Sequence, residues 1–227
     1  MDVLSAVRRR RMTRRFVADR PVSDADLLTL LELVGRAPSA GFAQGSDWVV
    51  LRSEIERERF WAAATPADGP GPSDPGRAAW LRGVRAAPVL VVALADETAY
   101  RRRYAAPDKG GVLPAEQDWP VPCWLTDTAM GAMLLLLGAT ELGLGALFFG
   151  VPGPRHTVVK AALDIPPDRS IVGVIALGHE ERRVGGSARR RARRSLADYT
   201  HWGAFGVAGP AAAYLVGDNA GQTSPRP

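Results

Sequence analysis

The sequence is poor in the residues that build disulfides, metal centres and hydrolase triads. It has one cysteine, Cys123, so no disulfide can form within the chain, which is typical of a protein from a reducing cytoplasm. Its three histidines stand far apart, and no HxxxH or CxxC spacing supports a metal site. A Ser-His-Asp hydrolase is also disfavoured, because the G-x-S-x-G turn around a nucleophilic serine does not occur.

Long apolar runs are scarce as well. The most lipid-like segment, residues 129–139, is followed directly by Thr140 and Glu141, whereas a helix needs about 20 apolar residues to cross a bilayer. We therefore expect a buried core or interface helix there, and no association with a membrane. No signal peptide is visible before the arginines that begin at Arg8, so we expect a cytoplasmic protein.

Lysine is scarce where arginine is abundant. Only Lys109 and Lys160 are lysines among 29 basic residues, and the formal net charge is +5. Arginines cluster at residues 8–15 and 189–194. Codon usage in a GC-rich genome would explain this bias; alternatively, guanidinium groups bind phosphate oxygens in a bidentate geometry. Nucleic acid is the less favoured anion, because no helix-turn-helix, RNA-recognition or zinc motif accompanies the clusters.

Hydrophobic periodicity and capping residues predict five helices. Ser23 and Ser53 are suited to accept the first free backbone N–H groups of two of them, and Pro38 ends one. The predicted helices are residues 3–11, 24–37, 53–64, 124–142 and 155–163.

Four short apolar segments predict strands, at residues 48–52, 87–95, 145–149 and 171–178. Because they do not alternate regularly with helices, we predict an α+β fold with helices on both faces of a sheet. The length of 227 residues fits one domain, which we place at residues 1–203. We expect residues 204–227 to be a C-terminal extension whose last part is disordered, and residues 65–76 and 100–122 to be long loops.

Four motifs follow one another along the chain: RRF (14–16), APSAGFAQ (37–44), ELGLGALFFG (141–150) and RRSLADYTHW (193–202). In this order they resemble the FMN-dependent nitroreductase family, over about residues 5–203. The resemblance implies a nitroreductase-type fold, with a central, mostly antiparallel sheet flanked by helices. It also implies an intertwined homodimer that holds one FMN per subunit at the interface.

The resemblance gives both arginine clusters the same ligand, the FMN phosphate. The residues that match the family's phosphate ligands are Arg10, Arg11, Arg14, Arg191 and Arg193. Met12 stands where the family usually has serine, so we expect one hydroxyl contact to the phosphate to be lost.

APSAGFAQ resembles a family loop that lies along the flavin of the other subunit. The matching cofactor-binding residues are Pro38, Ser39, Ala40, Gly41, Phe42 and Gln44. Phe42 replaces the common asparagine, and Gly45 and Ser46 replace a Pro-Trp pair. The alternative interpretation of Pro38 and Ser39 is a helix stop without a ligand.

ELGLGALFFG resembles the segment that passes beside the flavin rings. By position, Phe149 and Gly150 are cofactor-binding residues, and the backbone N–H at Gly150 faces the ring nitrogen that takes the hydride. We therefore predict Gly150 as the catalytic position. Core packing is the alternative role for Phe148 and Phe149.

Residues 100–122 and 65–76 lie where the family inserts segments that cover the flavin. Tyr104, Lys109 and Trp119 are predicted to contact the acceptor or the donor, because aromatic walls suit a flat molecule stacked on the flavin. The alternative is that Trp119 and Trp124 anchor this loop to the following helix.

The predicted activity is transfer of hydride from a reduced nicotinamide to an electron-poor acceptor by a ping-pong mechanism. NADH, NADPH and a deazaflavin remain open as donors, and nitroaromatics, quinones and enones as acceptors. Two alternatives remain: a flavin destructase that consumes FMNH2 with oxygen, whose loop shares Gly41, Phe42 and Gln44, and a non-catalytic protein that stores flavin or binds nucleic acid.

Overall fold

The computed structural model describes residues 2–65, 75–111, 119–181 and 192–209. The chain divides into two compact units, residues 1–184 and 185–227. The predicted extent of the domain, residues 1–203, stays a prediction.

The first unit is built on a four-stranded antiparallel sheet of order β1-β2-β4-β3. The strands are β1 (Ser46–Leu51), β2 (Val89–Ala95), β3 (Gly145–Phe149) and β4 (Ser170–Gly178). The two central strands carry the two continuous apolar runs, and every residue of β2 is buried, as expected for a strand that is covered on both faces. All four predicted strands are confirmed, and so is the mostly antiparallel sheet.

Helices cover both faces of this sheet, as predicted. The described α-helices of the first unit are α1 (Val3–Arg9), α2 (Asp24–Val34), α3 (Glu54–Ala64), α4 (Pro75–Arg85), α5 (Glu97–Tyr104), α6 (Cys123–Glu141) and α7 (His156–Ala162). Alternate strand residues point to opposite faces: Val92 packs in the core beneath α3, α4 and α7, and Val91 packs in the core beneath α2 and α6.

The predicted helix caps are present. The Ser23 hydroxyl accepts a hydrogen bond from the Asp26 N–H at 3.0 Å. Ser53 and Glu56 form a reciprocal capping box at the start of α3. Helix α1 ends at Arg9, two residues earlier than predicted, because Arg10 is already extended.

Two helices were not predicted from the sequence. α5 occupies the first residues of the segment that we expected to be a loop, and its three arginines, Arg101–Arg103, hide any apolar periodicity. It is stabilised by the Asp96 carboxylate, which accepts a hydrogen bond from the Ala99 N–H, and by burial of Tyr100. α4 begins at Pro75, inside the predicted Pro/Gly-rich loop, where proline suits the first turn of a helix. Residues 66–74 and 112–118 of these two loops lie outside the described residues.

Helix α6 is long and apolar enough to cross a membrane by length and composition alone. In the first unit it is a core helix on one side, because Leu135 and Ala139 are completely buried against the sheet and α2. Its other side exposes Met130 and Met133. This half-buried state is compatible with the predicted core or interface helix.

The described part of the second unit, residues 192–209, contains one short 3₁₀ helix, Leu196–Asp198. Ser195 and Asp198 form a reciprocal capping box around it. The Arg194 guanidinium lies 6.0 Å from the centre of the Tyr199 ring.

Candidate functional site

A cavity of about 440 Å³ lies at the C-terminal end of β3. It is lined by Trp61, Ala64, Thr65, Arg77, Trp80, Leu81, Phe149, Gly150, Val151 and Pro152. The lining is mainly apolar and aromatic with one cationic residue, which is the composition expected for a small-molecule site. Two of the predicted flavin residues, Phe149 and Gly150, are therefore part of one concave surface.

The aromatic wall of this cavity follows from the alternation of side chains along β3. Phe149 points to the face covered by α3 and α4, whereas Phe148 packs on the opposite face. The Phe149 ring is stacked on Trp61, with centroids 5.6 Å apart and planes 5° from parallel. Trp80 meets the same ring edge-on at 5.8 Å. Trp61, Trp80 and Arg77 were not identified from the sequence, because only the fold brings α3 and α4 to the end of β3.

The backbone at Gly150 is sterically open. A Cβ atom at this position would meet no heavy atom of the described residues within 4 Å, so that part of the chain leaves the space beside this glycine unfilled. Glycine allows a ligand to approach the main chain closely. The space on the Cβ side of the position predicted to donate a backbone hydrogen bond to the flavin is thus open.

The arginine-bearing N-terminal segment runs beside the other end of β3. Met12 forms a parallel bridge with Ala146, and the Thr13 N–H donates to the Ala146 carbonyl at 2.8 Å. The Phe148 N–H lies 3.5 Å from the Met12 sulfur and donates to it. Met12, which lacks the hydroxyl of the usual serine, thus fastens this segment to β3.

The three predicted N-terminal phosphate ligands have different surroundings. Nη1 of Arg10 is buried and has no hydrogen-bond partner among the described residues. The Arg11 guanidinium forms an ion pair with Glu180, and Arg14 donates from Nη1 to the Met12 carbonyl at 3.1 Å. A buried guanidinium nitrogen without a hydrogen-bond partner lowers the stability of the folded state. An anion that accepts a hydrogen bond from this nitrogen would remove the penalty. Arg10 is therefore the strongest candidate of the three, and a phosphate would compete with Glu180 for Arg11.

The C-terminal arginine cluster is only partly described. Arg191 lies outside the described residues, and Arg193 is an exposed residue of the second unit. Their role as phosphate ligands stays a prediction that rests on the motif resemblance.

The loop of residues 38–44 has an unusual backbone. Gly41, Phe42 and Gln44 have φ angles of 60°, 58° and 53°, a left-handed conformation that residues with a Cβ rarely adopt. A Cβ on Gly41 would lie 2.8 Å from the Tyr104 ring, so the loop packs directly on α5. Phe42 is 75% exposed. An exposed aromatic side chain on a strained backbone is typical of a binding loop.

A hydrogen-bond network holds this loop against α5 and α6. Oδ2 of Asp127 accepts from the Ala40 N–H at 2.7 Å and from the Tyr100 hydroxyl at 2.8 Å. Oγ of Ser39 accepts from the Gln44 N–H at 2.8 Å and lies 3.3 Å from the Tyr100 oxygen. Burial raises the pKa of Tyr100 to about 12, with a further contribution from Asp127, so the phenol remains a neutral hydrogen-bond donor. Asp127 was not identified from the sequence, although it is a lone carboxylate in the first half of an apolar helix.

The three predicted substrate residues lie together. The Tyr104 and Trp119 rings meet edge-on at 4.8 Å, and Nζ of Lys109 lies 5.7 Å from the centre of the Tyr104 ring. Trp119 also packs on Trp124, with ring centroids 5.7 Å apart. This second contact fits the alternative interpretation that Trp119 is an anchor, so both interpretations remain.

The cavity and the 38–44 loop are at opposite edges of the sheet. In the strand register Phe149 pairs with Val174, Val174 with Val92, and Val92 with Val49. Phe149 and Val49 are therefore separated by three strand spacings, roughly 14 Å. The loop leads into β1, the strand of Val49, so one chain does not bring its loop to its own cavity.

Taken together, these features define a class of protein: an α+β fold with an aromatic cavity at one end of an edge strand and an arginine-bearing segment beside the other. The chain belongs to the Nitroreductase family, whose family model matches residues 7–179.

Individual relatives agree with this assignment. The chain is 26% identical over 172 residues to a protein of Archaeoglobus fulgidus whose given name pairs NADH dehydrogenase with NAD(P)H nitroreductase; the match covers 74% of this chain and 80% of the relative. A Desulfovibrio desulfuricans structure in complex with FMN is 25% identical, with a TM-score of 0.64 and coverage of 87% and 94% of the two chains. Nitroreductase CinD from Lactococcus lactis, in complex with nicotinic acid, shares the fold with a TM-score of 0.70 at 16% identity, over 88% of this chain and 98% of its own.

Proposed function

We propose that this protein is an FMN-dependent oxidoreductase that transfers hydride from NADH or NADPH to an electron-poor acceptor by a ping-pong mechanism. The observation that carries the proposal is the arrangement along β3. The segment of Arg10, whose buried Nη1 has no partner among the described residues, runs beside one end, and an aromatic cavity lies at Gly150 at the other. Membership of the Nitroreductase family and the FMN complex of the Desulfovibrio relative support it.

The residues at the two ends of β3 fit the two ends of FMN. Ala146, which pairs with Met12, is four residues from Gly150, or roughly 13 Å at the rise of a strand. A phosphate would accept from the buried Nη1 of Arg10, which has no partner within the described part of the chain, and a flat ring system suits the cavity wall of Trp61, Trp80 and Phe149. Bound FMN would supply the two-electron chemistry, while the protein contributes binding, orientation and electrostatics.

Two groups at the cavity suit a ligand that gains negative charge. Gly150 has no side chain, and the described residues leave the space beside it open, so a ligand could approach the main chain closely enough to accept from its N–H. Arg77 adds a positive charge to the lining. A preorganised donor and a nearby cation stabilise an anion most where water is excluded, so both groups favour reduction of a ligand bound here.

We further propose that the working unit is a homodimer in which each cavity is completed by the partner's 38–44 loop. The loop and the cavity of one chain lie at opposite edges of the sheet. α1 packs against α6, and these two helices expose large apolar side chains: Val3, Leu4, Val7, Met130 and Met133. Large exposed apolar side chains on two helices that pack together suit an interaction surface, and a second copy would cover them.

The acceptor would enter between the cavity of one chain and the group of Tyr104, Trp119 and Lys109 of the second copy, because that group lies beside the 38–44 loop. Nitroaromatics, quinones and enones fit such walls because they are flat and electron-poor. We propose that the protein acts in the cytoplasm. We propose neither nucleic acid nor a membrane as a partner.

The function is tested by the absorbance spectrum of the purified protein, before and after addition of FMN and then of NADH or NADPH without oxygen. The proposal predicts a flavin spectrum that bleaches with a reduced nicotinamide and recovers when a quinone or nitroaromatic is added. Protein that stays colourless after incubation with FMN would contradict it. Formation of a benzimidazole from FMNH2 and oxygen would instead identify a flavin destructase.

A further inference from the structure

We propose that Asp127 and Tyr100 are positioning residues, which hold the 38–44 loop in the conformation that completes the flavin site of a second copy of the chain. Neither residue is assigned a contact with the flavin; both act through the loop backbone. This inference rests on the proposed function and adds the residues that set the geometry of the shared site.

The loop needs such support because its backbone is strained. Phe42 and Gln44 have left-handed φ angles although each carries a side chain, and such residues persist only where the surrounding contacts over-determine them. Gly41 and Gly45 pack so closely on α5 that a Cβ on either would lie less than 3 Å from a tyrosine ring.

Asp127 joins the loop to two helices at a single atom. Its Oδ2 accepts from the Ala40 N–H and from the Tyr100 hydroxyl, so one carboxylate on α6 fixes both the start of the strained segment and the side chain of α5 that faces it. Hydrogen bonds to a charged acceptor are roughly twice as strong as neutral ones. Tyr100 also lies within hydrogen-bond distance of Ser39, whose oxygen accepts from the Gln44 N–H at the far end of the segment.

Arg103 clamps the same loop from α5. Its Nε donates to the Gly41 carbonyl at 2.7 Å, and Asp108 holds the guanidinium through bonds of 2.7 and 2.6 Å. The strained residues are therefore anchored on each side, and Phe42 is left as the exposed tip.

The first experiment compares Asp127→Asn, Tyr100→Phe and Thr128→Val by titration of the dimeric apoprotein with FMN. Asp127→Asn is expected to weaken FMN binding about tenfold or more, because an amide cannot accept from both donors at the same oxygen with full charge. Tyr100→Phe should weaken it less. Thr128→Val is the matched control, because it removes a buried bond from Thr128 to the Trp124 carbonyl on the same helix; it should lower the melting temperature without changing the affinity for FMN.

The second experiment uses mixed dimers. A dimer of one Asp127→Asn chain and one Arg10→Ala chain should retain one FMN site of wild-type affinity, because the intact arginine of one chain faces the intact loop of the other. A dimer of one doubly substituted chain and one wild-type chain should have no FMN site of wild-type affinity. One of its sites lacks Arg10, and the other faces a loop that lacks Asp127. The reverse pattern, or unchanged affinity in the Asp127→Asn homodimer, would overturn the inference while the wild-type dimer still binds FMN. Failure of the wild-type dimer itself to bind FMN would refute the proposed function instead.

Discussion

The Phe149 ring lies parallel to the Trp61 indole, 5.6 Å away, and this pair forms the inner wall of the cavity at the end of β3. Phe149 comes from an edge strand, and Trp61 from the helix that covers the sheet. The stacked pair therefore couples the packing of the core to the shape of the candidate flavin site.

Replacement of Trp61 by alanine should affect both stability and cofactor binding. Loss of a buried tryptophan lowers the free energy of unfolding by about 3–5 kcal/mol. The cavity would also change shape, because Trp61 forms part of its wall. Trp61→Phe should retain the stacking and most of the stability. Urea unfolding and FMN titration measure the two effects. Trp202→Phe is a suitable control, because Trp202 is exposed in the second unit; equal FMN affinity in Trp61→Ala and wild type would remove this wall from the site.

Arg10→Ala should weaken FMN binding by about 10- to 100-fold, the value of one or more charge-assisted hydrogen bonds to phosphate. Arg11→Ala should have a smaller effect, because Glu180 already occupies its guanidinium. Titration with riboflavin, which has no phosphate, provides the control: its affinity should not change in Arg10→Ala. If Arg10→Ala left FMN binding intact and abolished a salt-sensitive interaction with DNA, the phosphate assignment would be wrong.

Arg193→Ala tests the part of the phosphate assignment that depends on motif resemblance alone. If the C-terminal cluster binds the same phosphate, this variant should weaken FMN binding and leave riboflavin binding unchanged. Combined with Arg10→Ala, the loss should be at least about 30-fold. An Arg193→Ala protein with the affinity of the wild type would restrict the phosphate site to the N-terminal segment.

Trp119→Ala should change the Michaelis constant for aromatic acceptors while the FMN content stays intact. The physical reason is that Trp119 belongs to the aromatic group beside the loop, together with Tyr104. Steady-state kinetics across a panel of quinones and nitroaromatics measure the effect. Identical kinetics for the whole panel would take this segment out of the substrate site, and loss of FMN would show that Trp119 is structural.

The raised pKa of Tyr100, about 12 in the folded protein against 10.0 ordinarily, predicts a loss of stability in alkali. Because the folded state keeps the proton that the unfolded state releases, this contribution is present below about pH 10 and declines as pH rises towards 12. Tyr100→Phe should reduce the fall in urea midpoint between about pH 9 and pH 11, since phenylalanine has no proton to lose. An equally steep fall in wild type and variant would contradict a buried, neutral phenol.

Much of the sheet could be predicted from the sequence, and most of the network around the site could not. Continuous apolar runs identify Val89–Ala95 and Ser170–Gly178 as strands, because a strand that is covered on both faces has apolar residues at nearly every position. Helix α5 was missed because Arg101–Arg103 obscure its period, and its stability comes from burial of Tyr100. Contacts between distant residues leave no local pattern.

Two such contacts change the interpretation of predicted ligands. Arg11 and Glu180 are 169 residues apart in the sequence, and their pairing shows that one arginine of the cluster has a structural partner. Ala40 and Asp127 are 87 residues apart, and their hydrogen bond explains how the loop is held. The motif resemblance identified the loop, and only the fold identified what positions it.

The central claim, a flavin site shared between two copies of the chain, is tested most directly by native mass spectrometry of the protein after incubation with FMN. The proposed arrangement predicts a homodimer that carries one FMN per subunit and releases it, unmodified, on denaturation. A monomer that binds FMN with full stoichiometry would contradict the shared site, and a protein of any size that binds no FMN would contradict the flavin assignment itself.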